Sequence, residues 1–537
     1  MMYGCRWEPQ KRVSVNEMTV KRVSVNEMTV KRVGIVGINE ISMTKIRQKA
    51  PRAEQVTLHG EKRSKAMIKF GTGGWRAIIG DGFTKANVQL LTTAIAKKLK
   101  DEDKASNGFL IGYDRRFLSE EAAKWACEVM AGEGIVCRLI NREAPTPLIM
   151  FSVKYYSLPY GMAVTASHNP AIYNGVKVFM QGGRDADEIL TGELEKYIEN
   201  TDESEIRLIP FEAGVKNGMI QIIDPMNQYI DSIIRSINMD AIRSRNLKVV
   251  LDPMYGVSKT ALQTILLTAR CDVDVIHEKR DTLFGGRLPA PNSKTLAGLI
   301  NYMDEHECDL GIATDGDADR LGVIDDKSEF VHPNKILVLL YYYLMKFKGW
   351  HGAAVRNIAT THLLDRIADD FNEVCYEVPV GFKNISSKMI ETNAIIGGES
   401  SGGLTVRGHI QGKDGIYAAA LLVEMIATTG RKLSEIYKEI TDRYGLYEME
   451  EADYSFSLDK KEEIVKMMFM DKLLPEFSGE IEKVSYMDGC KVYFKDGGWI
   501  IARFSGTEPL LRIFCEMTTR KEALNNMEIL RQFLSLL

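Results

Sequence analysis

Ser167 sits in the run Thr165-Ala166-Ser167-His168-Asn169-Pro170, and three segments much further along the chain could serve a phosphate carried on its hydroxyl. A serine hydroxyl is a poor nucleophile without a base, a metal or a relay. His168 is adjacent, but no aspartate with triad spacing and no Gly-x-Ser-x-Gly elbow accompanies it, so a hydrolase triad is unsupported. The first distant segment, Asp315-Gly316-Asp317-Ala318-Asp319-Arg320, places three carboxylates at alternate positions between two apolar runs. Such crowding is unfavourable alone and suits a hard divalent cation. An EF-hand loop is excluded, because its sixth position would be Arg320 rather than Gly and its twelfth Asp326 rather than Glu. A cation facing a phosphorylated serine would draw off charge from phosphoryl oxygens in transfer.

The second segment, Arg503-Phe504-Ser505-Gly506-Thr507-Glu508-Pro509, with Arg512 beyond it, offers guanidinium, hydroxyl and backbone donors. That set fits a terminal phosphate dianion. No Gly-Lys-Ser/Thr follows a glycine-rich stretch, so ATP is not the expected donor. The third, Gly397-Gly398-Glu399-Ser400-Ser401-Gly402-Gly403, presents a carboxylate and hydroxyls on a glycine-rich loop, as reading a sugar's hydroxyls requires. Lys177, ten residues after the serine, and Arg76, some ninety before it, are further candidate cations, and spacing alone does not distinguish a role at the site from ordinary surface charge.

The elements that must hold these residues alternate short apolar strands with amphipathic helices, the pattern of α/β layers. Strands are expected at 108–112, 161–164, 247–251, 310–313 and 321–324. A helix is expected over 415–440, with a break at Thr428-Thr429-Gly430. Near the C-terminus, Asp496-Gly497-Gly498 separates 491–494 from 499–502 as a hairpin; a strand at 511–515 and a helix at 520–536 follow. Domain changes are expected near 221, 327 and 445.

With 537 residues the chain is too long for one core. Its 45% hydrophobic and 26% charged content and its net charge of −4 give no reason to expect nucleic acid or a membrane surface as partner. No cysteine pair has metal or redox spacing, and no apolar run approaches a membrane span. Residues 1–66 stand apart. They hold a decapeptide repeated at 11–20 and 21–30, with 14 Lys/Arg against 6 Asp/Glu. They are expected to be a disordered extension outside the fold, or the product of a start codon taken too far upstream of Met67.

Taken together, the four motifs, in their order along the chain, resemble the α-D-phosphohexomutase superfamily, in its bacterial phosphoglucomutase/phosphomannomutase branch, over residues 67–537. The resemblance implies four domains around a cleft: three related mixed α/β domains (67–220, 221–326 and 327–444) and a smaller α+β domain (445–537). It implies a phosphoserine at Ser167, with Asp315, Asp317 and Asp319 holding one Mg²⁺ beside it. Arg76, His168 and Lys177 would assist proton transfer or charge stabilisation there, Lys177 as a base of near-neutral pKa. Arg320, Lys383, Glu399 and Ser401 would contact the sugar phosphate, and Arg503, Ser505, Gly506, Thr507 and Arg512 the phosphate that does not react. The implied activity interconverts hexose 1-phosphate and 6-phosphate through a hexose 1,6-bisphosphate, in a cytoplasmic monomer or homodimer acting on small sugar phosphates. Many relatives place His after the glycine of the sugar loop, where this chain has Gly403; His409, followed by Lys413, is expected to stand in. Ser400, where phosphoglucosamine mutases usually carry Gln, argues mildly against glucosamine; glucose is the expected substrate, with mannose accepted, since the sequence does not separate the two. The competing readings are a phosphoglucosamine mutase, a sugar-phosphate phosphatase and a silent sugar-phosphate sensor.

Overall fold

The computed structural model describes residues 68–71, 73–505 and 510–536. The extension 1–66 lies outside the described residues, as do Gly506 and Thr507.

Four sheets follow one another along the chain. The first runs Trp75–Ile78, Tyr173–Met180, Tyr160–Val164, Phe109–Tyr113, Cys137–Ile140, Ile220–Ile223, with Arg184–Asp185 pairing onto Tyr173–Met180. Its central strands, from Tyr160–Val164 to Ile220–Ile223, are parallel. Tyr160–Val164 and Phe109–Tyr113 are buried throughout, as expected of parallel strands covered by helices on both faces. The second sheet runs Phe330–Val331, Leu321–Ile324, Leu310–Thr314, Lys248–Asp252, Asp272–Val275. The third runs Cys375–Val378, Ala354–Asn357, Ile396–Gly398, Leu404–Val406. The fourth is antiparallel: Glu448–Ser455, Leu510–Met517, Trp499–Phe504, Cys490–Phe494, Ile481–Ser485, with helix Arg520–Phe533 against it.

One device recurs. In each of the first three sheets a chemistry-bearing loop joins a buried strand to the antiparallel strand beside it. The Ser167 loop joins Tyr160–Val164 to Tyr173–Met180, the aspartate loop joins Leu310–Thr314 to Leu321–Ile324, and the Glu399 loop joins Ile396–Gly398 to Leu404–Val406.

The expected strands in the first two domains lie within one residue of their observed positions. The helix from Gly415 ends at Thr429, where Gly430 adopts φ +68, and a second helix covers Leu433–Tyr444. Glycine carries that left-handed C-cap at no steric cost. Ile220–Ile223 pairs with Cys137–Ile140 and so belongs to the first sheet, and Phe330–Val331 pairs with Leu321–Ile324 in the second. The change near 445 falls between helix Leu433–Tyr444 and strand Glu448–Ser455.

The cores are unequal. One continuous cluster takes in Leu110 and Leu148 of the first domain, Leu251 and Ile312 of the second, and Leu337 and Leu421 of the third. The C-terminal domain has its own cluster, drawn from 464–536, and meets the third domain through Ile358, Ala359, Trp499 and Ile501.

Candidate active site

Ser167 is buried, and its φ of +52 is strained for a residue with a side chain. Arg116 imposes that turn. Its Nη2 donates to the carbonyls of Ser167 (2.5 Å) and Asn169 (2.7 Å), and its Nη1 to those of Pro170 (3.0 Å) and Tyr173 (3.1 Å). Asp114 completes the frame, accepting from Thr165 Oγ1 at 2.6 Å, while Thr165 Oγ1 accepts from the Ser167 N–H at 2.9 Å. Asp114 and Arg116 were not among the expected site residues. The signal available was a buried ion pair at the end of an apolar strand, which sequence alone does not distinguish from a solvated turn.

Ser167 Oγ donates to Asp315 Oδ2 at 2.8 Å. Asp315, Asp317 and Asp319 are all fully buried, with ligand oxygens within 4.8 Å of one another. Asp317 Oδ1 and Asp319 Oδ1 have no hydrogen-bond partner, a cost that buried carboxylates do not carry without a purpose. Burial and the two neighbouring carboxylates push Asp315 well above its usual range. Asp319 goes the other way: burial would raise it, but Lys177, Lys413 and Arg320 outweigh burial and hold it well down. An all-oxygen set beside a serine hydroxyl suits Mg²⁺ and not a soft metal. Thr146 fastens the first domain to this loop, its Oγ1 donating to Asp317 Oδ2 at 2.7 Å and its N–H to the Asp317 carbonyl at 2.9 Å. Gly316 has no room for a side chain, since a Cβ would lie 2.9 Å from the Ser167 carbonyl.

Lys177 reaches Asp317 Oδ2 and Asp319 Oδ2, each at 2.6 Å. Burial would lower its pKa, but the two carboxylates more than offset burial and raise it. Lys177 thereby ties strand Tyr173–Met180 to the aspartate loop. His168 Nδ1 is 3.4 Å from Ser167 Oγ, and burial, with Arg320 and Arg76 adding, pushes its pKa well down and keeps the ring neutral. Arg76 lies across the loop, donating from Nη1 to Asn169 Oδ1 at 2.5 Å.

The third domain closes the other side. The Leu321 N–H donates to the Gly402 carbonyl at 3.0 Å, and Arg320 forms a β-bridge with Gly403. Glu399 Oε1 accepts from Asn357 Nδ2 and from the Gly381 N–H, each at 3.2 Å, and Glu399 Oε2 from Ser401 Oγ at 3.4 Å. Lys383 pairs at 2.9 Å with Glu188 of the first domain.

His409 does not stand in for the missing histidine. It is buried against Tyr417, its Nε2 2.6 Å from Asp414 Oδ2, and Asp414 also accepts from Tyr229 of the second domain at 2.8 Å. The preference of a buried ring for a buried partner outweighs its nearness to the loop in sequence. Lys413 does enter the site, with Nζ 2.9 Å from Asp319 Oδ2. Its stem fills the space beside Gly403, where a Cβ would lie 2.2 Å from Lys413 Cδ.

The C-terminal domain brings Arg503 and Arg512 together. They are direct partners on neighbouring antiparallel strands and so share one face of the sheet. Ser505 sits just beyond Arg503, its N–H donating to the Leu510 carbonyl at 2.8 Å.

Four domains set around a buried serine, a carboxylate loop and a paired-arginine strand define an enzyme of phosphoryl transfer. Family models of phosphoglucomutase/phosphomannomutase match in turn: α/β/α domains I, II and III at residues 67–205, 227–328 and 332–444, and the C-terminal domain at 466–530. A phosphoglucomutase/phosphomannomutase of Thermococcus kodakarensis is 30% identical over 86% of this chain and 97% of that protein. A phosphoglucosamine/phosphogalactosamine mutase of Sulfurisphaera tokodaii is 27% identical over 85% of this chain and 96% of its own. A crystal structure of a phosphoglucomutase/phosphomannomutase family protein from Burkholderia thailandensis has a TM-score of 0.74 at 21% identity, over 88% of this chain and 97% of that one, a likeness of fold. The chain belongs to the α-D-phosphohexomutase superfamily and is an enzyme of its mutase class.

Proposed function

We propose that this enzyme interconverts hexose 1-phosphate and hexose 6-phosphate, with glucose preferred and mannose accepted, by way of phosphorylated Ser167 and a hexose 1,6-bisphosphate. The observation that carries the reading is Ser167 Oγ at 2.8 Å from Asp315, inside a carboxylate triad that has two unpartnered oxygens. Asp315, Asp317 and Asp319 would hold Mg²⁺, which when bound supplies charge neutralisation at the phosphoryl oxygens. Arg116 and the strained turn hold the Ser167 hydroxyl against Asp315, so little reorganisation would remain at the moment of transfer. Neutral His168 lies beside that hydroxyl, with Arg76 bound to the same loop and Lys177 to the aspartate loop. Glu399 and Ser401 would read the sugar's hydroxyls, and Lys383 would reach the ligand by exchanging its partner Glu188. Arg503, Ser505 and Arg512, with Gly506 and Thr507, would hold the phosphate that does not react. The bisphosphate must reverse in a cleft that excludes water, or the phosphoserine would hydrolyse. A C-terminal domain with a core of its own, seated on the third domain through Ile358, Ala359, Trp499 and Ile501, would cover that cleft.

Relatives named for glucosamine phosphates favour a second reading, a phosphoglucosamine mutase. A coupled assay of glucose 1-phosphate conversion, with Mg²⁺ and a trace of glucose 1,6-bisphosphate, tests the proposal against Ser167→Ala. Collapse in the variant is expected, and mannose and glucosamine phosphates then rank the substrates. Release of inorganic phosphate by the wild type would move the phosphatase forward instead.

A further inference from the structure

Two carboxylates flank the arginine pair of the C-terminal sheet, and they do different things. Asp453 is the direct cross-strand partner of Arg512, 3.7 Å from its Nε, and stays within the sheet. Asp488 lies in the turn between Ile481–Ser485 and Cys490–Phe494 and leaves it. Its Oδ2 accepts from Arg503 Nε at 3.0 Å and from the Val380 N–H of the third domain at 2.8 Å. The next residue, Gly381, donates its N–H to Glu399 at 3.2 Å, and Lys383 follows two positions later. One carboxylate oxygen thus connects the phosphate cradle to the backbone that carries the sugar-reading residues.

Two details make this a fixed arrangement. The contact takes Arg503 at Nε, so it does not use the forked terminal edge with which a guanidinium grips a phosphate. The turn has no slack either: Gly489 adopts φ +106, and a Cβ there would lie 2.6 Å from the Ala502 carbonyl and 3.1 Å from Arg503 Cβ.

We propose that Asp488 is a positioning residue of the cradle, setting the Arg503 guanidinium by its Nε edge and registering it against the Val380–Lys383 loop before a phosphate arrives. This rests on the mutase reading, in which Arg503 receives the non-reacting phosphate. A sugar phosphate then meets a pre-oriented arginine, and the ordering cost of that long side chain is already met.

The test uses the full-length protein: wild type, Asp488→Ala, Asp488→Asn, Arg503→Ala and the Asp488→Ala/Arg503→Ala pair. Calorimetric titration with glucose 1-phosphate runs beside the coupled assay. Asp488→Ala is expected to weaken binding and raise KM by about tenfold, the scale of one charge-assisted hydrogen bond, with kcat changed by less than about threefold. Asp488→Asn keeps an oxygen acceptor and should recover part of the loss, and it decides the matter if the alanine variant does not fold. The paired variant should bind no more weakly than Arg503→Ala alone. Unchanged or tighter binding in both Asp488 variants would overturn the proposal, because the carboxylate would then be competing with phosphate. Additive losses in the pair would overturn it as well. A wild type that binds the sugar phosphate without isomerising it sinks the mutase reading and leaves the binding cycle to judge Asp488; one that binds no hexose phosphate sinks both.

Discussion

Arg503 and Arg512 stand directly opposite each other on adjacent antiparallel strands, two like charges on one face of a sheet. Facing cations on neighbouring strands are destabilising unless something negative lies between or beside them. Asp453 and Asp488 do part of that work, and a substrate's phosphate dianion would do the rest. Arg512→Ala is therefore expected to weaken hexose-phosphate binding by about tenfold or more while leaving the melting temperature unchanged or slightly higher. Titration calorimetry and a thermal melt of the same preparation check both halves, and a marked fall in melting temperature would show that the pair is structural.

Arg116 carries the turn that presents Ser167. With its guanidinium removed, four backbone carbonyls lose a buried donor and Asp114 loses its counter-ion. Arg116→Met should cost about 3–5 kcal/mol of stability, the scale for stripping one partner from a buried charged pair. Activity should fall by more than the stability loss explains, because Ser167 relaxes from its strained φ. Urea unfolding and the coupled assay together separate the two effects.

Divalent-metal binding should be visible without any turnover. The aspartate triad is buried with two unpartnered oxygens, so a bound cation would stabilise the folded state by mass action. Mg²⁺ is expected to raise the melting temperature of protein stripped with EDTA, and Asp319→Asn should abolish the rise. An equal rise in the variant would place the metal elsewhere.

Lys491 gives a pH signature at the junction of the third and fourth domains. It is fully buried, with Nζ 2.7 Å from Glu377 Oε2, 2.7 Å from the Ile358 carbonyl and 2.9 Å from His362 Nε2, and with the rings of Tyr493 and Trp499 against it. Burial, with nearby Arg356 adding and Glu377 opposing, pushes its pKa down to about 7 from an ordinary 10.5. Between those values the unfolded chain binds more protons than the folded one, so this residue makes stability rise as pH goes from about 7 towards 10.5. Below pH 7 both states carry the proton, and the cost of burying the charge is fully present. Denaturant unfolding across pH 7–10 should show Lys491→Met losing the part of the rise that wild type shows.

Gly403 tests the steric reading of the sugar loop. Gly403→His is expected to lower both the melting temperature and activity, since its Cβ alone would lie 2.2 Å from Lys413 Cδ and would push that stem off Asp319. Gly403→His/Lys413→Ala should recover folding, measured by the melting temperature.

Much of this was legible in the sequence, because the chemistry-bearing motifs are local. Three alternating aspartates between apolar runs, or a serine at the end of one, announce themselves within six residues. What stayed hidden depended on distance across the fold. His409 and Lys413 are four residues apart, and nothing in their spacing says that Asp414 captures the histidine while the lysine reaches Asp319. Arg116 looks like any charge after a strand until four carbonyls from another loop close on it. The role of the segment beside the change expected near 221 was hidden for a related reason: Ile220–Ile223 joins the first sheet by pairing with a strand some eighty residues earlier.

The apolar cluster that threads the first three domains imposes an order on how this protein can be made. Phe109 and Ile111 pack within the first domain, but Leu110 and Leu251 share this cluster with Leu337 and Leu421, so that face of the early chain leaves the ribosome with its packing partners still unsynthesised. Helix Pro333–Lys346 begins about 80 residues after Leu251 and more than 220 after Leu110, and helix Gly415–Thr429 about 80 residues later still, a wait on the order of 5–60 s at ordinary elongation rates. During that interval the nascent chain is a natural client for a holdase. The last domain, whose core is drawn wholly from its own residues, can fold on release without waiting for anything.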